Sequence, residues 1–316
     1  MRRRPILRPP LGINLCIRSE TTMADLFSIQ PGDDASRGYL NLYRSDTEEL
    51  RAIREHCEHL WTLFAPYADP QFLTQFVLHF HERWFEMYLG TFLLGAGVRL
   101  VHTEPPGPDL LCEINGSRCW IEAICPTAGE PGRPDTIVRG DGITPWNLIT
   151  LRIRGAVEEK KRKYDRYIEQ GIVAKEDRLL IAVNVSAVPY AREDAERYVF
   201  RALYGLGELV MTFDLATMRL VDRTNRQIAT IEKLRTGAPV GVQPFIDGSM
   251  PPVAAAIISG DVSASAALSG GTLPDLTLYP NLTAAAPWHA GALPFPHEWT
   301  FEVNADGWNG RRQDTP

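Results

Sequence analysis

The sequence predicts an α/β (α+β) fold in which a central mixed sheet is flanked by helices and followed by a C-terminal extension. Three observations predict this class. Helix-like apolar spacing alternates with short strand-like runs between residues 45 and 188. An Asn-Gly pair at 115–116 separates two apolar-rich runs, a strong signal for a two-residue hairpin. The apolar run at 179–185 is typical of a central strand that is covered on both faces.

Two helices are predicted before the hairpin. Ser45-Asp-Thr-Glu48 is a capping box for the first helix. Its apolar residues recur at helical spacing: Leu50, Ile53, Cys57, Leu60, Trp61 and Phe64. Asp69-Pro70 supplies an N-cap and a first-turn proline for the second helix, which is expected to end at Gly95–Gly97. A short strand around Val98–Val101 then leads into the hairpin.

The hairpin brings two acidic residues together. With Asn115-Gly116 at its tip, the register places Cys112 opposite Cys119 and Asp109 opposite Glu122. Directly opposed side chains have Cβ atoms only about 4.5–5.5 Å apart, so two like charges are destabilising there unless something neutralises them. A hard divalent cation would neutralise them.

The same register sorts the hairpin side chains onto two faces. The face suited to a core carries Leu110, Cys112, Ile114, Cys119, Ile121 and Ala123. The two acids lie on the other face. In one interpretation, Asp109 begins a turn after a Pro-Gly-Pro segment and Glu122 is a solvated strand residue. The apolar neighbours of Glu122 and its acidic partner favour a metal site instead.

A loop and a long helix are predicted after the hairpin. Residues 126–144 contain four glycines and are expected to form a mobile or site-covering loop. Thr144-Pro145 begins a helix that continues to about Gln170, where Gly171 stops it. One stripe of this helix carries Arg152, Ala156, Lys160, Lys163 and Tyr167.

This helix is locally basic. Between Arg152 and Arg166 there are seven basic and three acidic residues, a surplus of four positive charges. Such a surplus is compatible with a phosphate-facing patch. The alternative is a solvated helix face on which Glu158 and Glu159 offer ion pairs to the basic residues.

Pro108-Asp109 and Glu122-Ala123-Ile124 resemble the motif of the PD-(D/E)xK (restriction endonuclease-like) nuclease superfamily. The resemblance covers roughly residues 70–188 and implies a restriction endonuclease-like core, with the element order helix–strand–strand–strand–helix–strand. It implies that Asp109 and Glu122 bind Mg²⁺ (or Mn²⁺) with the backbone carbonyl of Ala123. Ile124 stands where the motif has a lysine, which points to an uncharacterised bacterial branch with a displaced lysine.

The resemblance also suggests roles for residues on the two neighbouring helices. Glu86 matches a glutamate that many members carry before the first strand, where it would join the metal site; the alternative is a salt bridge to Arg83 or Arg99. Lys160 is the candidate for the displaced lysine. The predicted catalytic residues are Glu86, Asp109, Glu122 and Lys160, and the predicted substrate-phosphate contacts are Arg152 and Lys163.

Three functions are consistent with this sequence. The first is a Mg²⁺-dependent nuclease that hydrolyses phosphodiester bonds of nucleic acid. The second is a catalytically degraded nuclease-fold protein that acts as a nucleic-acid or protein interaction module, which Ile124 favours. The third is a structural α/β protein in which the acid pair is coincidental.

Composition narrows the class of protein. The chain has 316 residues, 44% of them hydrophobic, and no window approaches the ~18–20 apolar residues of a membrane span. Five cysteines, without a C-x-x-C pair, favour reduced thiols in a cytoplasmic protein. The net charge of −6 differs from that of a dedicated nucleic-acid binder, so the expected nucleic-acid partner depends on the local basic patch.

Four segments are predicted along the chain. Residues 1–44 are expected to be a disordered extension or an overlong gene start, with Met23 as the initiator. Residues 45–205 form the helical lead-in and the nuclease-like core. Residues 206–303 form a C-terminal α+β extension packed on the core, and residues 304–316 form a disordered tail.

Overall fold

A computed structural model describes residues 24–102, 107–114, 116–140, 142–260, 262–264, 275–304 and 307–314. Its centre is an eight-stranded mixed sheet, with two smaller two-stranded sheets beside it. Separate apolar cores lie on the two faces of the large sheet, one under the N-terminal helices and one under the later helices. The predicted mixed α/β class with flanking helices is therefore confirmed.

Four helices form the N-terminal layer: α1 (Arg37–Arg44), α2 (Glu48–Phe64), α3 (Phe72–Leu78) and α4 (Phe80–Gly95). The N-cap of α2 is Thr47, whose hydroxyl accepts from the Leu50 amide, and not Ser45, which closes α1 in a left-handed conformation. The single helix predicted after Asp69 is divided at His79, where the backbone leaves the helical region (φ −124°, ψ 49°).

The N-terminal boundary differs from the prediction. Residues 24–44 belong to the packed layer, since Leu26, Phe27 and Tyr39 are buried in its core. The Trp61 indole donates to the carbonyl of Ala24 at 2.8 Å, which attaches this segment to α2. Contacts of this kind join residues far apart in the chain, so the local sequence of residues 24–44 does not reveal that the segment is packed. Residues 1–23 and the proposed initiator Met23 lie outside the described residues.

The predicted hairpin forms with the predicted register. Strands β1 (Arg99–Val101), β2 (Leu110–Ile114) and β3 (Ser117–Ile124) are a three-stranded antiparallel meander, with Cys112 opposite Cys119. Gly116 has φ 78°, as a tight turn requires, and Asn115 lies outside the described residues. All six side chains assigned to the core face are buried in the core under the N-terminal helices.

The long helix and the central strand are also where the sequence predicts them. Helix α5 (Trp146–Glu169) crosses the sheet and leads to β4 (Arg178–Asn184), which pairs with β3 in parallel. Side chains of β4 alternate between the two cores, which explains its uninterrupted apolar composition. The observed order from α4 to β4 is helix–strand–strand–strand–helix–strand.

The C-terminal third is not an appended extension. After α6 (Ala195–Leu203) come the hairpins β5–β6 and β7–β8, with strands β5 (Leu206–Phe213), β6 (Leu220–Gln227), β7 (Thr230–Glu232) and β8 (Pro239–Gly241). Strand β9 (Val253–Ser259) then pairs directly with β4, and β10 (Leu276–Pro280) and β11 (His297–Asn304) continue the sheet. The predicted boundary at residue 206 therefore cuts through one sheet.

The predicted disordered tail contains a strand. Gly307–Asp314 forms β12, which pairs with β11 at the sheet edge. An edge strand pairs through its backbone on one side only, so it can be polar throughout. The sequence of β12 therefore lacks the apolar alternation by which a strand is predicted. Among the described residues, no helix has the length and apolar character needed to cross a membrane.

Candidate active site

A buried lysine lies among three carboxylates. The Lys160 side chain is 2% exposed, and its Nζ lies 2.8 Å from Glu122 Oε2, 3.8 Å from Asp109 Oδ2 and 3.6 Å from Glu82 Oε1. These acids come from β3, from the residue before β2 and from α4. We call Glu82, Asp109, Glu122, Lys160 and Lys163 the acid–lysine cluster.

Helix α5 presents Lys160 to the sheet because its neighbours on the helix are anchored there. Ile153 and Val157 are fully buried in the core beneath α5. One turn after Lys160, the Tyr164 hydroxyl donates to the carbonyls of Trp120 on β3 and Leu180 on β4. Ala156, one turn before Lys160, is small enough to let the helix approach. The lysine is thereby held over the middle of the sheet.

Glu122 is the most enclosed acid of the cluster. It lies on the face of β3 that packs against α5, and its side chain has no solvent exposure. Glu122 Oε2 accepts from Lys160 and from Lys163 Nζ, the latter at 3.3 Å. Glu122 Oε1 is buried and has no hydrogen-bond partner among the described residues. A buried oxygen of this kind is uncommon in proteins and can serve as a ligand atom.

Burial raises the pKa of Glu122, and the nearby charge of Asp109 raises it further, while Lys160 and Lys163 oppose both effects. Burial alone would lower the pKa of Lys160, but the charges of Asp109, Glu122 and Glu82 outweigh it and raise that pKa. Lys160 therefore stays cationic near neutral pH and cannot act as a general base there. It can neutralise negative charge.

Asp109 is fixed at the open side of the cluster. The ladder between β2 and β3 begins at Leu110, so Asp109 does not pair with Glu122 through the backbone. Instead, Asp109 Oδ2 accepts from the Ala123 amide at 2.8 Å. Its side chain is 17% exposed, that of Lys163 is 32% exposed and that of Glu82 is 40% exposed. These three residues form the solvent-facing side of the site.

Glu86 has a different partner from the cluster acids. It is almost fully buried on α4, and Arg83 Nη1 lies 2.8 Å from Glu86 Oε2 and 3.1 Å from Asp69 Oδ2. Burial and the charge of Asp109 raise the pKa of Glu86, while Arg83 opposes them. Of the two salt bridges considered as alternatives to a metal role, the one from Glu86 to Arg83 is observed. Arg99 pairs with Glu113 instead. A metal role for Glu86 stays a prediction.

The two predicted phosphate contacts lie in different places. Lys163 belongs to the acid–lysine cluster. Arg152 does not reach the cluster: its Nη2 donates to the Asp135 carbonyl at 2.8 Å. It lines a separate groove of about 480 Å³ together with Arg133, Lys233 and Arg235. The structure therefore brings together Asp109, Glu122, Lys160 and Lys163, and separates Arg152 from them.

Three neighbours of the site were not assigned to it from sequence. Glu82 precedes Glu86 by one helical turn, and that spacing was its only signal. Arg83 holds Glu86. Tyr167 continues the α5 stripe, and burial together with the charges of Glu122 and Asp109 raises its pKa to about 12. Arg83 lies three residues before Glu86 on α4, so that contact follows from helical spacing. The roles of Glu82 and Tyr167 depend on how α4 and α5 meet across the hairpin, which no local pattern specifies.

The donor set is consistent with a divalent cation held by few protein ligands. In the described part of the chain, no group of three or more His, Cys, Asp or Glu side chains is arranged to hold a metal. Mg²⁺ commonly uses one or two carboxylates and completes its shell with water and substrate phosphate. Glu122 fits that requirement through Oε1, which has no hydrogen-bond partner among the described residues. Asp109 would be the second carboxylate, since both acids lie within 4 Å of Lys160 Nζ.

No protein-family model, curated protein or solved structure matches this chain.

Proposed function

We propose that this protein is a metal-dependent phosphodiesterase that cleaves nucleic acid, with a restriction endonuclease-like core. The observation that carries the proposal is the position of Lys160, within 4 Å of both Asp109 and Glu122. Ile124 stands where the nuclease motif has a lysine, and its side chain packs in the core beneath α5. Lys160, which comes from that helix, would supply the missing cation. The order of elements from α4 to β4 also supports this core.

Asp109 and Glu122 would hold Mg²⁺ or Mn²⁺, with the carbonyl of Ala123, and Glu86 would contribute through water. The chemistry that such an ion supplies is a lowered pKa for a bound water and neutralisation of phosphate charge. Lys160, which stays cationic, would orient the attacking water or stabilise negative charge that develops on the phosphate. Lys163, half-exposed beside it, would contact a substrate phosphate.

The proposal predicts that Glu122→Gln abolishes cleavage. The change keeps the side-chain size but removes a carboxylate, and loss of a metal ligand is expected to lower the rate by about 100-fold or more. The measurement is Mg²⁺- or Mn²⁺-dependent cleavage of single- and double-stranded DNA and RNA. The matched control is Glu113→Gln, an exposed acid on the neighbouring strand. Equal cleavage by wild type and Glu122→Gln would indicate a contaminating nuclease.

A degraded nuclease that acts as an interaction module is the second candidate. It is favoured by the two lysines on Glu122 Oε2, because they neutralise that oxygen without a metal ion. This candidate predicts nucleic-acid binding that is unchanged by chelator, with no cleavage of any substrate. Titration calorimetry with Mn²⁺ separates the two: binding that is lost in Asp109→Ala supports the metal site.

A further inference from the structure

The groove of about 480 Å³ that contains Arg152 is built from three segments of the chain. Its lining comes from residues 130–135, from helix α5 and from the turn between β7 and β8, which we call the β7–β8 turn (residues 233–238). Four cationic side chains line it: Arg133, Arg152, Lys233 and Arg235. Two acids, Glu130 and Asp135, also line it, so the groove has a surplus of two positive charges in a chain of net charge −6. We call it the basic groove.

Two cations of the basic groove have no acidic partner. Glu130 pairs with Arg133 at 3.0 Å, and Asp135 pairs with Arg152 at 3.3 Å. Lys233 and Arg235 are exposed and have no carboxylate within 4 Å among the described residues. Two like charges held on one short turn repel each other, so the groove favours an anionic ligand.

The β7–β8 turn is held in place by backbone contacts. The Lys233 amide donates to the Ala238 carbonyl at 2.9 Å, and the Gly237 amide donates to the Lys233 carbonyl at 2.8 Å. Gly237 has φ 64°, a conformation that favours glycine. At the end of β8, the Gly241 carbonyl accepts from Arg154 of α5 at 2.9 Å. The turn is therefore attached to α5, and its two cations need little reordering to meet a ligand.

The lining of the groove favours backbone phosphates as the ligand. Guanidinium and ammonium groups bind phosphate oxygens well. No aromatic side chain is among the described residues that line the groove, so a nucleobase would find no stacking partner there. Gly155 of α5 lines the groove with open space where a Cβ would be, which leaves room for a ligand to approach the helix. Contacts of this kind position a strand without reading its sequence.

We propose that the basic groove binds the phosphate backbone of nucleic acid, as a contact separate from the acid–lysine cluster. The proposal rests on the proposed function for the identity of the ligand, but it does not require cleavage. Arg152 precedes Lys160 by eight residues of α5, about 12 Å along the helix axis, or roughly three to four base pairs of a duplex. The exposed acid Glu159 lies between them on α5, so the two sites do not form one continuous basic tract.

The test is binding of fluorescent DNA and RNA oligonucleotides to the full chain, followed by anisotropy in the presence of a chelator at about 50 and about 200 mM salt. Lys233→Gln/Arg235→Gln is expected to raise the dissociation constant by about 10-fold at the lower salt concentration, and to reduce the slope of log affinity against log salt by about 1–2. The matched control is Arg37→Gln/Arg44→Gln, which removes the same charge from exposed positions of α1, on the opposite face of the sheet from α5.

A second pair of variants changes the groove without removing a cation. Gly155→Glu places a carboxylate in the groove and is expected to weaken binding by about 5-fold or more, because the added charge repels phosphate. Gly155→Gln, which has the same size and no charge, is its control and should bind more tightly than Gly155→Glu. Both residues favour a helix more than glycine does, so both variants should fold, as circular dichroism would verify.

The binding results and the cleavage results are independent. Binding that is lost in the groove variants supports the proposal even if wild type cleaves no substrate, in which case only the nuclease activity is refuted. A wild type that binds no nucleic acid, groove variants that bind like their controls, or a nucleoside triphosphate bound as tightly as an oligonucleotide would each overturn the proposal.

Discussion

Lys160 is the residue on which the charge balance of the acid–lysine cluster depends, and the proposed function assigns the chemistry of the site to it as well. It is buried against Glu122 and lies within 4 Å of two further acids. A buried ion pair adds little net stability, but the loss of one partner leaves a charge uncompensated in a medium that solvates it poorly. The lysine to which the proposal assigns a phosphodiester substrate is therefore also required for the stability of the fold around it.

At this scale we predict that Lys160→Met destabilises the protein by about 3–5 kcal/mol, because Glu122 is left buried without its nearest cation. Lys163→Met is the matched control, and we expect a loss of less than about 1 kcal/mol from this more exposed lysine. Urea unfolding monitored by circular dichroism measures both. If Lys160→Met/Glu122→Gln is no more stable than Lys160→Met, the charge explanation is wrong.

At the scale of elements, helix packing decides how the acids meet. Helix α4 carries Glu82 and Glu86, and it packs tightly on α2 through Gly90. A Cβ added at Gly90 would lie 2.5 Å from a ring carbon of Phe64, closer than any real contact. The glycine therefore sets the spacing between α2 and α4.

We accordingly predict that Gly90→Ala lowers the free energy of unfolding by about 1–3 kcal/mol, through overpacking against Phe64. Gly155→Ala on α5 is the matched control, since nothing lies within 4 Å of an added Cβ there. That variant should raise stability by about 0.5–1 kcal/mol, because alanine favours the helix. Thermal melts of both variants test this, and a Gly90→Ala protein as stable as wild type would contradict it.

At the scale of the whole molecule, the segment before α1 is attached to α2 through a pair of acids. The Leu26 amide donates to Glu58 Oε2 at 3.2 Å. Burial and a hydrogen bond from its side chain to Asp25 raise the pKa of Glu58 from 4.5 to about 7. The folded state thus binds a proton that the unfolded chain has released by neutral pH.

Because the folded pKa of Glu58 is raised, its contribution to stability is fully present below about pH 4.5 and is lost as the pH rises through about 7. We predict that Glu58→Gln reduces the change in the free energy of unfolding across this pH range by about 1 kcal/mol. The value is kept small because Glu58 is half-exposed and solvent screens its interactions. The measurement is the free energy of unfolding at intervals across that range. Glu55→Gln, an exposed acid on α2, is the control and should keep the wild-type profile.

The sequence by itself determined the local elements of this protein. The turn at Gly116 and the period-two alternation specify the hairpin register, and the start signal at Thr144-Pro145 together with the stop at Gly171 specifies the span of α5. The stripe on α5 also singled out Lys160 and Lys163, which the structure brings to Glu122. These features depend on residues close together in the chain, so short patterns suffice to predict them.

Only the tertiary structure decided how distant segments meet. No local pattern in the sequence predicts the pairing of β9 with β4, the strand at Gly307–Asp314, or the burial of Leu26, Phe27 and Tyr39. The same is true of Glu82 beside Lys160 and of Arg152 turned away from the acids. The physical reason is that each depends on contacts between residues far apart in sequence, whose energies are settled only when the whole core packs.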